Sequence, residues 1–162
     1  MNILKNNFLK IVFGLILITS FSSCDEGGDP DPGKTNTGQF AGDWFITVSE
    51  GGVDQVEHAL HSTYNTSAND NTMWIDDHGN GWAIKCKINM NQDGTFSVTN
   101  SDNIGDSGTV NVTNGKIISG GAVSKGGHTV DKITFDAEFS YDPGNIIHFD
   151  GHKRTGFLED EY

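Results

Sequence analysis

The strongest constraint on this chain is the two-residue rhythm of its apolar side chains. In "WAIKCKINM" (residues 82–90), Trp82, Ile84, Cys86, Ile88 and Met90 fall on one face, and Ala83, Lys85, Lys87 and Asn89 on the other. In "DKITFDAEFSY" (131–141), Ile133, Phe135, Ala137, Phe139 and Tyr141 form a second such row. A period of two is the signature of a strand with one wet face. The rhythm returns in "DWFITVS" (43–49), "TMWID" (72–76), "TFSVTN" (95–100), "TVNVT" (109–113), "KIISGGAV" (116–123) and "IIHFDGHKRTGF" (146–157). "VEHALHSTYNT" (56–66) permits a helix through Val56, Ala59, Leu60 and Tyr64, but its neighbours and the "SANDN" turn favour a strand. Turn residues separate the runs, and Asn114–Gly115 is a hairpin signal. About nine strand candidates with hairpin-length connections and no βαβ spacing predict an all-β, antiparallel up-and-down barrel of eight to nine strands. The 21 glycines suit its corners and tapers.

The first residues follow another rule. Lys5 and Lys10 precede the apolar "IVFGLILI", and "TSFSSC" follows. This reads as a secretory signal segment, too short to span a bilayer. Cys24 after "FSS" resembles a bacterial lipobox, with Phe21 where Leu is usual. The resemblance predicts removal of residues 1–23 and acylation of Cys24. "CDEGGDPDPGKTNTG" then has nothing to build a core with and reads as an acidic Gly/Pro tether, residues 24–38. Residues 39–162, about 124 of them, are one ordinary domain. The expected location is the outer membrane, anchored through the lipid. An acidic run after such a cysteine also resembles a surface-export signal.

Charge and cysteine usage exclude several classes. The first 23 residues hold two of the 10 basic residues and none of the 22 acidic ones, so the remainder carries a net −14. Such a chain has no electrostatic footprint for nucleic acid. Beyond Cys24 only Cys86 remains, which cannot form an internal disulfide, and its place in an apolar row makes it a core residue. No cofactor is predicted, and the domain is expected to be a monomer.

"GDW" at residues 42–44 resembles the Gly-x-Trp that opens lipocalins, in which an Arg or Lys from the end of the barrel packs across the Trp. Arg154 is the expected counterpart, a structural latch with Trp44. Together with the lipobox, the acidic tether, "YNTSANDNTMWIDD" and "GHKRTGF", the pattern resembles the Bacteroides-type lipoproteins grouped as lipid-binding putative hydrolases. That resemblance implies a lipocalin-like barrel and a small hydrophobic or lipid-like ligand. Trp74, Trp82, Ile84, Phe135 and Phe139 are the expected lining if the barrel is hollow. In a filled barrel the same aromatic residues are core.

Catalytic signals are sparse. "GDSG" (105–108) looks like a protease nucleophile signature, but it sits in a polar turn without the upstream His and Asp contexts. His148, Asp150 and His152 fall at i, i+2 and i+4 of the last strand and share one face. They are the catalytic candidates of an alternative reading, a hydrolase, with a metal between them as one variant; an outward, solvated face is the plain reading. A third reading is an accessory surface lipoprotein of an envelope complex.

Overall fold

The computed structural model describes residues 35–162. The expected signal segment, Cys24 and the expected tether up to residue 34 lie outside the described residues. Eight antiparallel strands run in sequence order around a closed barrel. They are β1 (Gly42–Glu50), β2 (Val53–Asn65), β3 (Thr72–Asp76), β4 (Lys85–Met90), β5 (Thr95–Asp102), β6 (Thr109–Val123), β7 (Thr129–Phe139) and β8 (Ile146–Lys153). A short 3-10 turn, Gly38–Phe40, precedes β1, and another, Leu158–Asp160, follows β8. The all-β up-and-down barrel expected from the rhythm is the fold observed.

Closure is made by the first and last strands. β1 and β8 pair without interruption from Trp44 opposite Lys153 to Glu50 opposite Ile147. Gly151 makes this close approach possible. A side chain there would strike the Phe45 carbonyl and the Ile46 backbone of β1. Strand β8 therefore keeps its alternation, with Ile147 and Phe149 inward and His148, Asp150 and His152 outward.

The ninth strand candidate merges into a neighbour. Residues 109–113 and 116–123 form one long β6, and Asn114–Gly115 is a bulge within it, not a hairpin. Asn114 takes φ 54°, and the pairing with β7 shifts between Thr113 and Lys116. Gly115 leaves the space that the Phe96 ring fills. A bulge of this kind bends a strand and re-aims a side chain. His58, at φ 52°, marks a similar shift in β2 opposite Ile46 and Val48.

The seam between β4 and β5 is the shortest. Only Asn89–Ser97 and Met90–Phe96 pair there. Asn103, 3% exposed, ties its far end with a side chain. Its Oδ1 accepts from the Lys85 N–H at 2.9 Å, and its Nδ2 donates to the Ala83 carbonyl at 3.0 Å.

Candidate functional site

The inward rows fill the barrel. Trp44, Ile46, Val48, Met73, Ile75, Ile84, Cys86, Ile88, Val112, Ile133, Phe135 and Phe149 have no exposed surface. Side chains around a hollow that holds a ligand would keep surface facing it; these touch one another instead. The Phe135 and Phe149 rings stack at 4.3 Å, and Phe96 leans on Phe135 at 5.8 Å. Ile84, Phe135 and Phe139, expected as lining, are therefore core. Two other lining expectations fail for separate reasons. Trp74 points outward, because Met73 and Ile75 take the inward positions of β3; Lys87 lies over its ring at 5.1 Å. Trp82 precedes β4, whose regular alternation is broken by Ala83 at φ 52°, and it packs half-buried at the rim.

The latch also shifts by one residue. Lys153, not Arg154, lies over the Trp44 ring, with its Nζ 5.7 Å from the centre. Trp44 is inside, and its Nε1 donates to Thr63 Oγ1 at 2.9 Å. Gly42 leaves room for the Lys153 stem, since a Cβ there would meet Lys153 Cε at 2.8 Å. Arg154 has the opposite parity. Its side chain faces out to Glu161 at 2.8 Å and lies 5.9 Å from the Phe45 ring.

An open space lies on the outer wall, across β7, β8 and β1. Three rungs stand in register there: Asp136–His148–Ser49, Thr134–Asp150–Thr47 and Lys132–His152–Phe45. The β1 and β8 members of these rungs and Lys132, with Asp54 and His58 of β2 and Gly121 and Ala122 of β6, line an open groove of about 540 Å³, and Asp136 stands behind His148 at its edge. The structure thus brings His148, Asp150 and His152 into one groove, each with a different partner. Asp150 pairs with Lys132 at 2.8 Å. His152 has both ring nitrogens engaged, by the Lys153 carbonyl and the Tyr162 hydroxyl at 3.2 Å each. His148 Nδ1 lies 2.7 Å from Asp136 Oδ1. Among the described residues no three His, Cys, Asp or Glu side chains converge on a metal position. Asp136, Ser49 and Lys132 were missed by sequence reasoning. Parity could have placed Asp136 and Lys132 outward on β7, but only the register brings them to β8.

Electrostatics separates the polar groups. Partial burial pushes the Asp136 carboxyl up, but hydrogen bonds from Asn114 and His148 outweigh it and hold it below the usual range. The Asn114 Nδ2 lies 2.8 Å from its other oxygen. At one end of the barrel Asp76 accepts from Lys85 at 2.6 Å and from Tyr64 at 2.9 Å, a satisfied structural network. His61 is fully buried, and burial lowers its pKa despite a bond to the Ala59 carbonyl at 3.0 Å. Its Nε2 is the one buried side-chain polar atom without a partner among the described residues. Ser107 of "GDSG" is exposed in the β5–β6 loop.

The family model described as lipid-binding putative hydrolase matches residues 29–158. No curated protein matches the chain.

Proposed function

The chain belongs to the lipid-binding putative hydrolase family, and from that premise we propose that it is a membrane-tethered barrel that holds a small amphiphile on its outer wall. The observation that carries this reading is the groove of about 540 Å³ beside a filled interior. That volume lies in the range of small-molecule sites. The groove is mixed in character. Thr47, Ser49, His148 and Lys132 offer donors and acceptors along the floor, while Phe45 and Ala122 offer apolar surface. A ligand with a hydrogen-bonding head and a short apolar chain fits that division. The acidic surface would repel anionic head groups, so the neutral amphiphiles are favoured.

In this reading the acylated Cys24 holds the barrel at the outer membrane, and residues 24–38 let it approach the lipid surface. The lipobox resemblance and the acidic tether support the anchor. Replacement Cys24→Ser should then abolish acyl labelling and release the protein from the membrane fraction.

Groove binding is tested by Ser49→Trp, which fills the floor without touching the core. The affinity for 1-decylglycerol should fall about tenfold or more, as expected when roughly 1.4 kcal/mol is lost. The melting temperature should stay near that of the parent. Unchanged affinity in this variant would place the ligand elsewhere.

A further inference from the structure

We infer that Asp136 and His148 form an acid–base dyad that hydrolyses the acyl ester of an amphiphile held in the groove, an inference that rests on the binding reading above. An ionised carboxylate can only accept. The 2.7 Å contact therefore places the proton on His148 Nδ1, donating to Asp136. The Nε2 lone pair is left free for a proton. Among the described residues no hydrogen bond engages that nitrogen, and the His148 side chain is 49% exposed on the groove floor.

The support behind Asp136 is built into the fold. Asn114 donates to its second oxygen from the bulge of β6, where a left-handed backbone turns that side chain toward β7. One strand away, Ser49 stands as the register partner of His148 and brings a hydroxyl donor to the same rung. Three other histidines lack this combination. His152 has no free nitrogen, His61 is sealed in the core, and His78 is engaged by the Ser62 hydroxyl at 2.8 Å.

The step balances with water as the only co-reactant. His148 Nε2 accepts one proton of a water molecule as the water oxygen bonds to the acyl carbon. The carbonyl electron pair moves onto its oxygen, toward the Ser49 hydroxyl. Collapse of this tetrahedral species breaks the bond to the alcohol oxygen, and the imidazolium returns its proton to that oxygen. One acid and one alcohol leave, and nothing is oxidised or reduced. Asp136 touches no reacting atom; it is a positioning residue that fixes the tautomer and stabilises the transient imidazolium.

The test compares 1-decanoylglycerol with its ether analogue 1-decylglycerol, using the full chain. The parent should bind both and release decanoate only from the ester. His148→Gln should lower hydrolysis about 100-fold or more, the scale of general acid–base catalysis, while ether binding stays within about threefold and the fold melts normally. Asp136→Asn should lower kcat about tenfold or more while KM and ether binding stay within about threefold, a split that a merely structural role would not give. An intact ester in the presence of ether binding, or full hydrolysis by His148→Gln, overturns the dyad and leaves the binding reading standing. A parent that binds neither compound overturns both.

Discussion

The Lys153 ammonium lies 5.7 Å from the centre of the Trp44 ring and 3.6 Å from Asp131, while its stem runs over Gly42. Arg154 offers a larger cation but spends it on Glu161 and Asp43 outside the wall. The two residues should therefore differ in weight. Lys153→Ala removes a cation–π contact and stem packing over a buried indole, and should cost about 1–2 kcal/mol in chemical denaturation. Arg154→Ala removes a partly exposed ion pair and should cost less than about 1 kcal/mol. The difference was legible in principle. Phe149 points inward, so 151 and 153 share its parity and 154 does not. Arg154 was preferred for its chemistry, and geometry overrules that preference. The outward face of His148, Asp150 and His152 was legible by the same parity. Their partners were not, because register across strands is set by turns and bulges that leave only faint marks in a sequence.

The strands themselves were largely legible, because a half-buried wall forces alternation onto any sequence that builds it. The exceptions sit where another force wins. Asn114–Gly115 has the chemistry of a hairpin, yet the chain runs straight on, because Gly115 packs under Phe96 and Asn114 bonds across to Asp136. Trp82 continues the rhythm of β4 in sequence but not in space, because Ala83 breaks the extended backbone. The β4–β5 seam has the fewest register pairs of the described barrel, and its far end is closed by the Asn103 side chain and by the Ile104 N–H on the Lys85 carbonyl at 2.9 Å. Asn103→Ala leaves the Lys85 N–H and the Ala83 carbonyl without their partner and should cost about 2 kcal/mol. Amide exchange at Lys85 should accelerate more than at the paired β7–β8 centre. Equal exchange at both places would mean that the seam is held by something other than Asn103.

Across the whole molecule, the segment after β8 ties distant parts together. Asp160 receives the Gly126 N–H and the Thr155 hydroxyl, and Tyr162 stacks on His58 at 3.7 Å. Burial pushes the Asp160 carboxyl up, but bonds from Ser124, Thr155 and Gly126 prevail and bring it down to about 2. A depressed carboxylate stabilises the folded state above its ordinary value of 3.8, and that contribution is lost as the pH falls through about 2. The contact between Tyr162 and His58, followed by NMR, should therefore persist to pH 4 and loosen between about pH 4 and 2. Asp160→Asn should loosen it already at neutral pH and flatten that window.

The filled interior has a kinetic meaning as well. A barrel that swallows its ligand must breathe to load and unload, so its exchange is slowed by the opening of the wall. Here the described inward side chains are buried against one another, and the groove faces outward. A guest on that wall meets no gate. It can arrive at the ordinary rate of molecular encounter, on the order of 10⁵–10⁷ M⁻¹s⁻¹ or faster, and its stay is set by its own contacts alone. In the proposed reading, such a molecule would suit brief, repeated loading rather than long storage.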